Sequence, residues 1–335
     1  MISATEPQAG PNEPRPDLIF EVTMGFMASK HLFVANEVGV FAALASGPAP
    51  LEQLADRIGV PARTLRMVLD AMVALGFLQR DDGTYRNGAT AEAFLSGSGP
   101  VDLRPALRFM NSITYPLWQD LEGAVRKDAP ARGQLTPELQ KIFSEGVEAF
   151  TAGPAHALAA TYDFSRHRRL LDVAGGTGSF LVAILSANPA LEGTLFELPE
   201  VAMIAEQNLA SSPVAARVSV TTGNAMEDEL PTGHDCALLA NIIHYFLPHQ
   251  NIVLLRRVRA AVESGARLLV VDWWTDPTHT QPLPAALMAG EFLANVGGDV
   301  YSEDEMNVWL GESSWRPLER LPLVGPQSVI IAEAV

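Results

Sequence analysis

The chain has a single cysteine, Cys236, so it can build neither a disulfide framework nor a cysteine zinc site. Basic residues are scarce as well: 23 Lys and Arg stand against 39 Asp and Glu, a net charge of −16. A protein of that sign repels nucleic acid and anionic membranes, so neither is expected as a partner. Long apolar runs are missing. The longest uncharged stretch, Cys236 to Leu255, is broken by Asn241, His244, Pro248, His249 and Gln250, which rules it out as a membrane span. The opening MISATEPQAGPNEPRP lacks the apolar core of a signal peptide, and its proline density predicts a disordered tail over residues 1–16. Charged residues make only 19% of the chain while hydrophobic ones make 48%, which excludes a disordered protein. At 335 residues the chain exceeds what one core usually supports. Two cytoplasmic domains are expected.

Residues 17–100 read as short helices followed by a hairpin. Phe20 to Leu44 is apolar enough for two helices and stops at Ser46-Gly47-Pro48. A short helix closed by Gly59 follows. Pro61 then suits the first turn of a helix whose Leu65, Val68, Leu69, Met72 and Val73 share a face, with Gly76 at its end. Asp82-Gly83 between Phe77-Leu78 and Thr84-Tyr85 is a hairpin signal. The sum is a winged helix-turn-helix. Arg63 and Arg66 are too few to supply the phosphate contacts of DNA binding on so acidic a chain, so a dimerisation module is the expected use.

Residues 101–165 are helical and rich in large side chains, among them Phe109, Tyr115, Trp118, Phe143 and Phe150, which suits a linker that also walls a substrate pocket. From residue 166 to 335 the period changes. Strand-like runs at Leu170–Ala174, Thr194–Glu197, Arg217–Thr221, Asp235–Ala240 and Arg267–Asp272 alternate with helices, which predicts an α/β fold with a Rossmann-like doubly wound sheet. Leu318–Leu323 and Ser328–Ala332 leave no room for a helix between them and must form an antiparallel hairpin on the sheet edge.

The strongest chemical signal is Ala174-Gly175-Gly176-Thr177-Gly178 at a strand–helix turn, where glycines let backbone N–H groups approach a ligand. Leu181 stands where the dinucleotide fingerprint needs its third glycine, and no Gly-Lys-Ser/Thr phosphate loop follows. Glu197, ending the second strand, offers a carboxylate to ribose hydroxyls. Ribose recognition without pyrophosphate points to S-adenosylmethionine.

Leu170 to Gly178 resembles motif I of the S-adenosylmethionine-dependent O-methyltransferases of the caffeate and hydroxyindole type. Phe196-Glu197-Leu198-Pro199 and Gly223-Asn224-Ala225-Met226 are similar to two further motifs of that family, as are the winged-helix domain and the terminal hairpin. The resemblance implies a class I methyltransferase, a homodimer through the N-terminal domain, and a small-molecule acceptor. It assigns Asp172, Gly175, Gly176, Gly178, Glu197, Leu198, Asn224 and Ala225 to the cofactor, with Asn224 where the family usually has Asp.

It also implies a catalytic base at His244, oriented by Asp272 at the end of the fifth strand. A histidine ordinarily titrates near pH 6.5 and can take a proton from a hydroxyl as its methyl arrives. Tyr245 and Phe246 replace the Asp and Trp that follow the family's His, and Val300 stands where a second acid is usual, with Asp299 and Glu303 nearby. Phe143, Val147, Met288, Glu291, Phe292 and Asn295 match positions facing the acceptor. No metal is expected: His249 follows His244 by five residues, but no third ligand stands at a sensible spacing. Methylation of sulfur, nitrogen or carbon, which needs no strong base, and a cofactor-retaining relative without methyl transfer are the alternatives.

Overall fold

The structure, a computed structural model, describes residues 14, 16–99, 101–131, 133 and 135–335. The expected tail over 1–16 lies almost wholly outside the described residues. The chain divides into two compact units, Met1–Arg108 and Phe109–Val335. The stretch 101–165 is therefore split: its first residues belong with the N-terminal unit.

In that unit the order is α1 (Pro16–Glu37), α2 (Val40–Leu44), β1 (Ala49–Pro50), α3 (Leu51–Ile58), α4 (Ala62–Ala74), β2 (Leu78–Asp81), β3 (Thr84–Asn87) and α5 (Ala89–Phe94). The hairpin forms at Asp82-Gly83, and β3 lies between β1 and β2 in an antiparallel sheet. Leu65, Leu69 and Met72 are buried along α4, while Val68 and Val73 are partly so. Arg66 is paired with Asp70 at 2.8 Å, which leaves less positive charge on α4 than the sequence count suggests.

Helix α1 departs most from the sequence reading. It runs 22 residues and is long and apolar enough to cross a membrane by length and composition, although it carries Asp17, Glu21, Lys30 and Glu37. Ile19, Phe20 and Val22 stand 64%, 66% and 71% exposed. An apolar helix left this bare needs a covering surface.

A short α6 (Arg104–Phe109) leads into a π-helical turn (Met110–Thr114), α7 (Tyr115–Trp118), α8 (Leu121–Lys127) and α9 (Pro137–Thr161). The alternating part follows: β4 (Arg169–Val173), α10 (Ser179–Ala187), β5 (Glu192–Glu197), α11 (Pro199–Ala210), β6 (Val218–Thr222), β7 (His234–Ala240), α12 (Pro248–Ala261), β8 (Val262–Thr275), α13 (Leu283–Val296), β9 (Tyr301–Ser302), α14 (Glu303–Glu312), β10 (Trp315–Pro322) and β11 (Gln327–Ala334). The sheet runs β10-β11-β8-β7-β4-β5-β6, with β9 joined to the far end of β8. Strands β4 to β8 are parallel; β11 enters antiparallel beside β8 and β10 closes the edge.

Period-two alternation sends Leu171, Val173, Leu268 and Val270 to one face, under α12 and α14. It sends Leu170, Leu238, Leu269 and Val271 to the other, under α9 and α10. Strand reversal at β4, where neighbours leave in opposite directions, opens a crevice at the carboxyl ends of the strands. The glycine turn after β4, Glu197 ending β5, the loop after β7 and Asp272 near the end of β8 all arrive there.

Candidate functional site

The glycine turn is shaped from below. Asp172, on β4, is fully buried, and neither carboxyl oxygen has a hydrogen-bond partner among the described residues. A Cβ on Gly175 would overlap that carboxyl group and Leu195, so only glycine fits there. Burial, helped by the Glu197 charge, pushes the Asp172 carboxyl up to about 8.

Glu197 is tied to the same turn. One carboxyl oxygen accepts from the Gly176 N–H at 2.8 Å and the other from the Leu198 N–H at 2.7 Å. Burial raises its pKa against the pull of those two bonds. Two buried carboxyl groups whose charged forms burial disfavours, beside a glycine-lined floor at a helix N-terminus, fit a ligand that brings hydroxyl donors and positive charge. S-adenosylmethionine has both, in its ribose and in its ammonium and sulfonium groups. Asn224 accepts from the Met226 N–H at 2.9 Å, while its own N–H bonds Asp228 at 2.8 Å, so its side chain shapes the turn that also carries Ala225.

Glu148 on α9 is a residue that sequence reasoning missed. Its carboxylate accepts from the Thr177 hydroxyl at 2.6 Å and from the Ser179 hydroxyl, and so ties α9 to the glycine turn. A groove of about 590 Å³ runs from these residues along α9 and α10, past Ala152, Ala155 and Ala159. Its lining mixes these alanines with the polar side chains of His156, Ser186, Asn208 and Ser212. A second group of polar side chains lies at the loop after β7.

There His244 and Asp272 meet. His244 Nδ1 lies 2.7 Å from Asp272 Oδ1, and the His244 backbone N–H reaches Oδ2 at 3.3 Å. Asp272 already accepts from the His244 and Trp273 backbone N–H groups, so as an acceptor it places the proton of a neutral imidazole on Nδ1. Nε2 is then a bare lone pair, and no described residue hydrogen-bonds to it. Phe292 stacks on the imidazole with ring centres 3.7 Å apart and planes 9° from parallel; Tyr245 tilts against it at 5.0 Å.

The loop carrying His244 is held from several sides. Asn251, fully buried on α12, donates to the Ile243 and Phe246 carbonyls at 3.0 and 3.1 Å, and the Tyr301 hydroxyl donates to the Phe246 carbonyl at 2.6 Å. A Cβ on Gly298 would overlap the His244 carbonyl oxygen, and the Asp299 N–H donates to that oxygen at 3.2 Å. Asn251 had a signal in the sequence: a polar residue on the same helical face as buried Leu254, Leu255 and Val258.

The departures around His244 have structural accounts. Val300 is buried with Ala285 and Phe292 behind the stacked ring. Asp299 turns back onto the Val300 N–H at 2.7 Å, and Glu303 pairs with Arg320 at 3.2 Å. Neither carboxylate bonds the imidazole, so among the described residues Asp272 is the one carboxylate hydrogen-bonded to it. His249 is exposed, and among the described residues no cluster of three His, Cys, Asp or Glu side chains could hold a metal ion.

On α9, Gly146 lets Phe109 pack directly on the helix, and Phe109 meets Phe143 and Phe150 edge-on at 5.6 and 6.0 Å. Val147 stays 37% exposed on the same helix. On α13, Met288 joins the cluster of Phe292 and Val300, and Asn295 is half-buried. Glu291 is engaged elsewhere: Thr114 Oγ1 and Trp118 Nε1 donate to its two oxygens at 2.9 and 2.6 Å.

Comparison with known proteins identifies the family. A family model described as the O-methyltransferase domain matches residues 128–316, and one described as the O-methyltransferase dimerisation domain matches residues 20–97. The chain is 32% identical over 324 residues to the 3-hydroxy-5-methyl-1-naphthoate 3-O-methyltransferase of Streptomyces sahachiroi, covering 94% of each. Among solved structures it resembles mitomycin 7-O-methyltransferase MmcR (TM-score 0.81, 27% identity, 95% of this chain and 97% of that one). It also resembles PigF with SAH (TM-score 0.83, 27% identity, 96% and 100%). With a glycine turn over a buried acid, a strand-end Glu197 and a histidine on its aspartate, the chain belongs to the O-methyltransferase family and is an S-adenosylmethionine-dependent methyltransferase.

Proposed function

We propose that the chain methylates a hydroxyl group on a small aromatic acceptor, with His244 as the general base. The observation that carries this is the pairing of His244 Nδ1 with Asp272, which leaves Nε2 as an unpartnered acceptor. When bound, S-adenosylmethionine supplies a methyl group activated on a sulfonium. Gly175, Gly176 and Gly178 would border its methionine end above Asp172. Glu197 and Leu198 would hold its ribose, and Asn224 with Ala225 would flank its adenine. The acceptor hydroxyl loses its proton to His244 Nε2 as its oxygen gains the methyl. Asp272 keeps the Nδ1 proton in place and stabilises the imidazolium that results. Phe143, Val147, Met288 and Phe292 offer an apolar wall, and Asn295 a polar end, which suits a flat ring with one or two polar substituents. The naphthoate enzyme of Streptomyces sahachiroi supports an aromatic hydroxyl as the acceptor class.

A single-turnover series over pH, with methyl-labelled cofactor and a panel of phenols, thiols and amines, tests this. If His244 is the base, protonated imidazole is inactive, so the rate rises with pH as that proton leaves and then levels. A flat profile, with thiols or amines as the better acceptors, would remove His244 as base.

The active species is proposed to be a cytoplasmic homodimer, with α1 of each N-terminal unit covered by the partner. The dimerisation-domain match and the bare Leu18, Ile19, Phe20 and Val22 support it, and a lone buried Cys236 suits a reducing compartment. Light scattering at micromolar concentration is expected to give twice the chain mass. A monomer mass would refute the pairing.

A further inference from the structure

The geometry points to Glu291 as a positioning residue for the base: it locks α13 to the Met110–Trp118 helical run and thereby holds the next side chain, Phe292, flat against His244. This inference rests on the reading of His244 as base.

The His244–Asp272 bond at 2.7 Å fixes one ring nitrogen. A single hydrogen bond still leaves the imidazole free to swing about that contact. The second constraint is the Phe292 ring, which lies parallel to the imidazole at 3.7 Å and is itself backed by Ala285 and Val300. Together the two contacts set where Nε2 points. Methyl transfer demands such alignment, since a displacement of about 1 Å can cost on the order of 10²-fold in rate.

What fixes Phe292 is its helix. Glu291, 6% exposed, accepts from Thr114 Oγ1 at 2.9 Å and Trp118 Nε1 at 2.6 Å. The two donors are four residues apart, so both come from one face of the run that ends in α7. The carboxylate thus takes two bonds from a single side and fixes both rotation and slide of α13 at residue 291. The run contains a π-helical turn at Met110–Thr114, a rare geometry that occurs frequently at functional sites. The two donors are neutral, and burial raises the Glu291 pKa against the pull of their bonds. A lock with no role beyond packing could be built from apolar groups without burying a carboxyl. With each oxygen already engaged by the helical run, a direct grip on the acceptor is the weaker reading.

The test is a double-mutant cycle on the full chain, with Glu291→Leu, Glu291→Gln, His244→Ala and the Glu291→Leu/His244→Ala pair. Glu291→Leu is expected to lower kcat about 10–100-fold, with the acceptor KM and the calorimetric cofactor affinity changed less than about threefold. Glu291→Gln can still accept from Trp118 and donate to the Thr114 oxygen, so it should recover most of that loss. In the His244→Ala background Glu291→Leu should cost nothing further. An equal loss in both backgrounds, or a rise in KM that dominates, would overturn the positioning role and return Glu291 to acceptor binding. Failure of the base assignment shows separately, as a fast His244→Ala single mutant. If Glu291→Leu does not fold, Trp118→Phe, which keeps the ring and removes one donor, must show the same pattern at smaller size; an unchanged kcat there refutes the proposal.

Discussion

Replacing His244 with alanine is expected to slow methyl transfer about 10²–10⁴-fold, with the affinity for S-adenosylmethionine nearly unchanged. The cofactor contacts assigned above lie on the turns after β4, β5 and β6, whereas His244 sits on the loop after β7, so chemistry and binding should separate. Asp272→Asn should cost less than His244→Ala, because the aspartate acts only through the imidazole. It should still cost something substantial. Asp272 Oδ1 also accepts from the Trp273 N–H at 2.9 Å, so an amide there must satisfy that donor as well as Nδ1. With both backbone and ring of His244 anchored on one carboxylate, Asn can place its oxygen toward only one of them. Single-turnover rates with calorimetric cofactor titration check the pair. A His244→Ala enzyme within a few-fold of the parent rate would refute the base.

The second large effect is expected at Glu197. Glu197→Ala should weaken S-adenosylmethionine binding by about 1–3 kcal/mol, the cost of losing hydrogen bonds to a charged group, or about 5–150-fold in dissociation constant. The structure adds a reason beyond the ribose. Glu197 already holds the Gly176 N–H at 2.8 Å, so its loss also releases the middle of the glycine turn. Cofactor affinity and the order of the turn therefore fall together. Glu197→Gln keeps an acceptor for one partner only and should lie between the two. Calorimetry on the three proteins checks the order, and a Glu197→Ala affinity equal to that of the parent would refute the ribose assignment.

These effects were not equally legible in the sequence. The glycine turn could be found because its backbone demands small residues: Gly176 and Gly178 have positive φ, and Gly175 has no room for a side chain over Asp172. Glu197 could be found because a strand end next to such a turn is a predictable place. The lock at Glu291 could not. Resemblance placed it toward the acceptor, yet its partners Thr114 and Trp118 lie more than a hundred residues earlier, and no periodicity links the two segments. Phe292 was expected as pocket wall, but its stacking on His244 depends on how α13 crosses the loop after β7.

The sequence by itself determined the alternation of β4 to β8 with helices, the antiparallel end, the hairpin at Asp82-Gly83, and the glycine turn after β4. Each follows from local rules: period-two or helical spacing, turn chemistry, and the steric demands of glycine. Only the tertiary structure decided the rest. Strand β8 was expected over Arg267–Asp272 but extends from Val262 to Thr275: Val262 pairs with His234 of β7 at one end, Trp274 and Thr275 pair with β9 at the other, and residues 263–266 lie in a register shift along the β7 edge. Helix α1 is bare although its sequence is apolar, and among the described residues the carboxylate bonded to His244 is Asp272, with Asp299 accepting from the Val300 N–H instead. Local patterns report which face of an element is apolar; which distant group meets that face is settled only when the elements pack.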